Sequence, residues 1–521
     1  MAAVVAAASL LGTLAGFGRE MAIALRFGAG SETDAYLTAV LLPTLLLQLV
    51  STGVMTAYLV PYLSEMLEKG DERGAWRVVG TVGLLTLAVL AGAAALAALA
   101  SGPMVSLVAP GFGPASRDLA IELTRLLSML FVFLGMTGFL AGVLYAFQRF
   151  TVASLVAFVF NIVIIAGALF AGGPLGIWGL AAATLLAGAC QLGLVVWALW
   201  ALPGRRFLGL ELRSAHLRRL AAVLAPVLLL AVVSQGYMAV ERVIASHLAE
   251  GSVTALNYGF RMAMFPMALC SALTVVSFPL LSRQAARGDE RLFCATVSTS
   301  ARLMLTVTVP ITVFLFFLAG PAVRFLLERG AFDAADAAPT AAALRFYGLG
   351  LVAYGLTWQF TASLYALGDY KGPLLVHLLI LGPRVAVSAA LAWAAAEAGL
   401  AAGLALSAAV IMFALALALS RRLKAFHPWS LAPTAYRVGA AGAAMALTVL
   451  LATRLLSPWE HGGLLETGAY LTSTAMAGLV VYVAVALALR LEEMELLARR
   501  LRLALASLRS TGSLPRAIGE A

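Results

Sequence analysis

Charge is what this chain has least of. Only 12% of its 521 residues are Asp, Glu, Lys or Arg, and 62% are hydrophobic. A soluble globular chain is about a quarter charged and roughly half apolar. So few charges cannot cover a water-facing surface, which excludes a soluble enzyme of two or three domains. Cysteine is scarce as well. Cys190, Cys270 and Cys294 lie far apart, in or beside apolar segments and without metal-ligand spacing, so neither a disulfide framework nor a metal site is expected. The five histidines are scattered, and no GxSxG, P-loop, HExxH or paired-Asp motif occurs. Nothing here predicts an enzyme or a cofactor. With no nucleotide site, any transport would draw on an ion gradient, the membrane potential or the gradient of the substrate itself.

What is present is apolar sequence in long runs, with a mean hydropathy of +0.98. The chain reads as an all-α polytopic membrane protein. A spanning helix takes about 20 apolar residues. Runs bounded by charges or Gly/Pro clusters give fourteen spans: 2–27, 33–63, 78–101, 119–147, 152–171, 176–201, 217–247, 252–281, 293–319, 338–367, 373–396, 398–420, 433–456 and 465–490. The first carries Arg19 and Glu20, so it reads as a span and not as a cleaved signal peptide.

The net charge of +10 does not point to nucleic acid, because no basic stripe lies on a soluble module. Lys and Arg instead crowd alternate loops, including Lys69, Arg73, Arg149, the run Arg205 to Arg219, Arg283, Arg287, Lys371, Arg421 and the tail. That bias puts those loops and both termini in the cytoplasm.

The chain also repeats itself. Gly70-Asp71-Glu72-Arg73 recurs as Gly288-Asp289-Glu290-Arg291, and Pro61-Tyr62-Leu63-Ser64 as Pro279-Leu280-Leu281-Ser282, both offset by 218. Leu144-Tyr145-Ala146 matches Leu364-Tyr365-Ala366, and Gly179-Leu180-Ala181 matches Gly399-Leu400-Ala401, offset by 220. A unit of six spans, an even number, enters the membrane the same way round each time, so the repeat is parallel. The expected organisation is an N-lobe (1–201), a cytoplasmic linker (202–216), a C-lobe (217–421), two further spans (433–490) and a cytoplasmic tail (491–521). Two six-helix lobes suit a transporter with a central cavity. In the tail, Met494, Leu497, Leu501, Leu505 and Leu508 share one face, as in a helix lying on the membrane surface.

Ionisable groups within spans are costly and normally face a cavity or a partner. Arg19 and Arg261 lie some 12 Å from the nearer span end, too deep to snorkel easily, and are the leading cavity residues. Glu20 is the natural counter-charge. Asp34 reads either as the cap of its own span or as a cavity acid. Glu241, Arg125 and Arg384 are further candidates for the cavity or for ion coupling; Arg125 also reads as a snorkelling residue, and Arg384 as one half of an ion pair. Arginines in such a cavity imply an anionic substrate, because guanidinium stays charged and grips phosphate in two-pronged geometry.

Several motifs follow one another in order: Gly16-Phe17-Gly18-Arg19-Glu20, Phe27-Gly28-Ala29-Gly30, Thr33-Asp34-Ala35-Tyr36, Leu42-Pro43, Val60-Pro61-Tyr62-Leu63-Ser64-Glu65, Ala109-Pro110-Gly111-Phe112, Glu250-Gly251-Ser252-Val253, Leu256-Asn257-Tyr258-Gly259-Phe260-Arg261 and Arg329-Gly330-Ala331-Phe332. Together they resemble the MurJ (MviN) lipid II flippases. The resemblance implies an exporter of the multidrug/oligosaccharidyl-lipid/polysaccharide (MOP) superfamily in the bacterial cytoplasmic membrane. Its cargo would be undecaprenyl-pyrophosphate-linked peptidoglycan precursor, moved from inner to outer leaflet by alternating access, with membrane lipids and cell-wall synthesis proteins as partners. It implies substrate-binding roles for Arg19, Glu20, Asp34 and Arg261. The sequence departs from the family pattern at Thr13 and Leu47, where arginine is usual, and at Met264, where an acid is common. Those departures motivate a second reading, export of another polyprenyl-linked glycan. A drug or cation antiporter predicts an acidic cavity, and a membrane-embedded transferase needs metal-binding carboxylates; neither matches.

Overall fold

The computed structural model describes residues 2–48, 59–202, 238–456 and 463–494. Nearly all of the expected linker, most of the expected span at 217–247 and most of the amphipathic face of the tail lie outside these residues.

The chain packs as two compact units. The first comprises Met1–Arg261, Leu326–Thr340 and Ala392–Leu400; the second comprises Met262–Phe325, Ala341–Leu391 and Ala401–Ala521.

In the first unit, α1 (Ala2–Phe27) ends at Gly28 and α2 (Ser31–Gln48) follows one turn later. Then come α3 (Val60–Glu68), α4 (Glu72–Leu99), the short α5 (Ser101–Val108), α6 (Pro114–Leu127), α7 (Leu130–Ala146), α8 (Phe150–Ala166) and α9 (Gly172–Trp200). A helical stretch at 238–246, here α10, precedes α11 (Ser252–Met264). Helix α1 runs along α8. Gly12 and Gly16 face that contact, where a Cβ at Gly12 would lie 3.3 Å from the Ala157 methyl. Small residues four apart let two membrane helices approach closely. Ala22, Ile23, Tyr36, Leu123, Leu127, Leu130 and Ile164 form one apolar core, and Trp76, Phe139, Leu144 and Val195 anchor another.

The second unit is built mostly from α12 (Met267–Arg287), α13 (Glu290–Phe317), α14 (Ala319–Leu327), α15 (Ala334–Leu349), α16 (Leu351–Ala366) and the long α17 (Lys371–Arg422), which give up the end of α14, the start of α15 and a short stretch of α17 to the first unit. Its core joins Met304, Phe360, Leu364, Ile411 and Leu415. Helices α18 (Ala432–Leu455) and α19 (Leu464–Ala488) pack on each other and on α13. The Tyr482 hydroxyl fastens this pair by donating to the Thr306 carbonyl at 2.8 Å.

Seven of the described helices are long and apolar enough to cross a bilayer, and eight pass if α6 and α7, bent by 43°, count as one span. Two of the seven run for 51 and 52 residues, roughly 77 Å each against a hydrocarbon core of about 30 Å. Each is broken inside, at Gly176 (φ 56°) and at Ala395–Ala396. Those breaks fall where the sequence reading separates 152–171 from 176–201 and 373–396 from 398–420. Two other expected spans are divided into shorter helices, 252–281 at Phe265–Pro266 and 338–367 at Gly350, while residues 49–58 of the span at 33–63 lie outside the described residues. The expected total of fourteen therefore exceeds what length and apolarity alone mark out among the described residues. Pro266, expected inside a span, stands at one of these breaks as the N-cap of α12.

The repeat is written in the backbone. Gly70 (φ 77°) pairs with Gly288 (φ 69°), Gln148 (φ 58°) with Gly368 (φ 75°), and Gly176 (φ 56°) with Ala396 (φ 46°), at the offsets of 218 and 220 seen in the motifs. After the first pair, Asp71 accepts from the Gly74 amide at 2.9 Å and Asp289 from the Leu292 amide at 3.0 Å. Each caps the helix that follows.

Candidate functional site

The site grows from the middle of α1. Adjacent residues on a helix point about 100° apart, yet Arg19 Nη2 and Glu20 Oε1 meet at 2.5 Å. The other prong of Arg19, Nη1, donates to Asn161 Oδ1 on α8 at 3.1 Å, and Asn161 Nδ2 donates to the Gly12 carbonyl at 3.2 Å. Gly16 makes this possible, because a Cβ there would stand 3.3 Å from Asn161 Nδ2.

Glu20 has a second cationic partner. Arg261 Nε on α11 lies 3.2 Å from the same Oε1, and Asn257 Nδ2, one turn earlier on α11, donates to Oε2 at 3.4 Å. The Glu20 side chain is 4% exposed, Arg19 15% and Arg261 53%. A buried carboxylate thus sits between two guanidiniums, leaving a local surplus of one positive charge, and the more open arginine presents it. Such a cluster can receive an anion through the unused donors of two planar forks. A cation would meet net repulsion.

Asp34 is engaged elsewhere. Its Oδ2 accepts from the Gly251 amide at 2.8 Å, and its Oδ1 from the Thr254 amide at 2.7 Å and hydroxyl at 2.5 Å. It therefore caps α11, the helix that carries Asn257 and Arg261, and not its own α2. The first turn of α11 offers unbonded amides and a positive dipole end to a carboxylate.

Around that cap several turns interlock. Ala29 N donates to Asp336 Oδ2 at 2.9 Å, Ala331 N to the Leu25 carbonyl at 2.9 Å, and Gly111 N to Ser246 Oγ at 3.1 Å. The Ser252 hydroxyl donates to Glu397. Burial pushes the Asp336 carboxyl above the usual carboxylate range. Gly251 (φ 87°) and Gly330 (φ 64°) need glycine twice over: the backbone is left-handed, and a Cβ would fall 2.4 Å and 2.2 Å from the carbonyls of Ala29 and Leu25. The motifs around Gly28, Gly111, Gly251 and Gly330 thus meet in one knot.

The remaining candidates do not join Glu20. Arg125 is exposed and donates from Nε to Ser101 Oγ at 3.0 Å, tying α6 to α5. Glu241 lies half-buried on α10. Arg384 belongs to the second unit and lines a cavity there. Among the described residues no cluster of three or more His, Cys, Asp or Glu side chains is placed to hold a metal. Asn161 and Asn257 were missed in the sequence because only ionisable groups were weighed. An asparagine inside an otherwise apolar span is itself a signal, since its amide needs partners there.

An all-helical membrane fold with an internal repeat and two arginines gathered on one buried carboxylate defines a transporter-like architecture. The fold agrees. It superposes on a solved structure described as lipid II flippase MurJ in an inward closed conformation with a TM-score of 0.77, at 21% identity over 92% of this chain and 97% of that one. It also superposes on an inward-facing multidrug resistance MATE family transporter of the MOP superfamily, with a TM-score of 0.69 at 15% identity over 82% and 98% of the two chains. Residues 23–470 match the family model of lipid II flippase MurJ, and the chain belongs to that family. Its relatives include the lipid II flippase MurJ of Burkholderia cenocepacia, 29% identical over 72% of this chain and 74% of that protein. A probable lipid II flippase MurJ of Rhizobium tropici is 27% identical over 92% and 91%.

Proposed function

We propose that this chain moves the lipid-linked peptidoglycan precursor lipid II from the inner to the outer leaflet of the bacterial cytoplasmic membrane, with Arg19 and Arg261 receiving the pyrophosphate. The observation that carries this reading is the single buried carboxylate of Glu20 shared by two arginines. A pyrophosphate carries at least two negative charges and cannot enter hydrocarbon unpaired. The surplus positive charge of the cluster offsets part of that cost, and the half-open Arg261 offers the first contact. Glu20 keeps the two guanidiniums together while the site is empty. Asp34 acts through α11 as a positioning residue for Asn257 and Arg261.

In this reading the protein is a transporter without a catalytic step, works by alternating access of the 1–201 and 217–421 lobes, and keeps both termini in the cytoplasm. Glu241 is the acid left for ion coupling, and Arg125 serves the rim of α5 and α6. Recruitment of other cell-wall synthesis proteins is compatible with transport.

The test is rescue of growth in cells depleted of their own flippase, with protein levels checked by immunoblot. Loss of one charge-assisted contact costs about 1.5–3 kcal/mol, roughly ten- to a hundred-fold in binding. Arg19→Ala and Arg261→Ala are each expected to fail, and Arg19→Lys, which keeps charge but loses the fork, to rescue partly. Full rescue by both alanine variants at normal protein levels would overturn the anionic-headgroup reading.

A further inference from the structure

The second unit holds a cavity of about 360 Å³ lined by Tyr354, Trp358, Thr361, Tyr365, His377 and Arg384. The size falls within the range of roughly 300–1,000 Å³ typical of small-molecule sites.

Its two walls differ in chemistry. Tyr354, Trp358, Thr361 and Tyr365 follow one another at intervals of four, three and four residues along α16, so they form a single stripe, largely of aromatic rings. Arg384 and His377 lie two helical turns apart on α17, on one face. Arg384 is about 20 Å along that helix from its start at Lys371, well inside the expected span 373–396, where a guanidinium is costly and by default marks a functional path or site.

A further observation points to a ligand. Thr357 also lines the cavity and is 9% exposed, yet its buried Oγ1 makes no hydrogen bond with the described residues. Nearby hydroxyls behave differently: Ser363 and Thr308 both donate to the carbonyl four residues earlier. Among the described residues, none satisfies this hydroxyl at the cavity wall.

We propose that this cavity is a second binding site, for an amphiphilic organic anion with an apolar body and one carboxylate or phosphate-monoester head. The head lies on Arg384. Guanidinium has five N–H donors, so a contact within the chain still leaves a fork for a planar carboxylate or a phosphate. The body lies along the ring stripe of α16, where aromatic faces supply area at little entropic cost. A cationic amphiphile of the same length is repelled. The proposal stands apart from the reading of Arg19 and Arg261, which lie in the other unit.

The test is native mass spectrometry of the full-length protein released from non-ionic detergent, titrated separately with dodecanoate and dodecyl phosphate. Dodecanol and dodecyltrimethylammonium serve as controls. One saturable copy of an anion is expected, with the controls at least tenfold weaker. Binding of only one of the two anions identifies the head as carboxylate or phosphate. Arg384→Gln is expected to weaken binding at least tenfold, Arg384→Lys to fall between, and Thr361→Trp, which fills the cavity and leaves the charge, to abolish it. Arg261→Ala is expected to bind normally even where it fails to rescue growth, so the two sites fail separately. If Arg384→Gln does not yield monodisperse protein, the Lys and Trp variants decide. Non-saturable binding, equal binding of dodecanol or the cation, or affinity unchanged in the folded variants would each overturn the proposal.

Discussion

Arg261 Nε and Arg19 Nη2 both reach the same oxygen of Glu20, at 3.2 Å and 2.5 Å. Two like charges are held side by side within the membrane by one atom of a third residue. The arrangement makes Glu20 the keystone: removing it costs more than a lost ion pair, because it leaves two adjacent guanidiniums facing one another.

That relation predicts strong non-additivity. Glu20→Gln should lower the thermal unfolding temperature in detergent, in line with the roughly 3–5 kcal/mol cost of stranding a buried charge. Adding Arg19→Gln should restore much of the loss, because the repulsion goes with it. A double-mutant cycle that sums to within about 0.5 kcal/mol would show that Arg19 and Glu20 are not coupled.

Asn161 orients Arg19 from below, with its own amide tied to the Gly12 carbonyl. Asn161→Ala should weaken flippase rescue at normal expression, and Asn161→Gln should not repair it, because the longer side chain loses the register. Asn161→Asp should bind Arg19 more tightly and compete with the incoming anion. Growth rescue by the Asp variant equal to wild type would refute this competition.

The Asp34 cap predicts an effect at a distance. Asp34→Ala leaves the Gly251 and Thr254 amides without their acceptor and should cost about 1–2 kcal/mol of stability; Asp34→Asn should lose roughly half. Since Asp34 caps the helix that carries Arg261, the proposed positioning role predicts that Asp34→Ala combined with Arg261→Ala impairs transport no more than Arg261→Ala alone. A clearly worse double variant, at matched protein levels, would give Asp34 a role of its own.

The repeat predicts a stabilising change. Ala396 adopts φ 46°, ψ −128°, and its counterpart Gly176 adopts φ 56°, ψ −144°. That region belongs almost wholly to glycine and costs other residues on the order of 1–3 kcal/mol. Ala396→Gly should raise the thermal unfolding temperature and Gly176→Ala should lower it. Opposite shifts would mean that the left-handed break is not what limits these helices.

Much of this was legible in the sequence, for reasons that separate cleanly. Helix breaks were visible because Gly and Pro interrupt apolar runs, and the offset of the motifs returned as matched left-handed residues. Arg19, Glu20 and Arg261 were legible because ions inside apolar runs announce themselves. The role of Asp34 was not, since its spacing suggests a cap on its own helix, whereas the amides it serves lie 217 and 220 residues on. Arg125, which reads equally as a snorkelling or a cavity residue, is exposed and bonded to Ser101, because position along a run says nothing about which side faces out. The ring stripe opposite Arg384 needed two helices brought together before it had any meaning.

The adjacency of Arg19 and Glu20 also bears on how the chain is made. The first helix enters the bilayer before α8 and α11 exist. A lone arginine at that depth would resist insertion, but here each charge travels with its own counter-ion, one residue away, and the pair enters as a near-neutral dipole. Asn161 reaches it later, and Arg261 later still. The last arginine therefore docks onto a carboxylate already in place, so the excess charge that defines the site appears only when the helices that shelter it have been built.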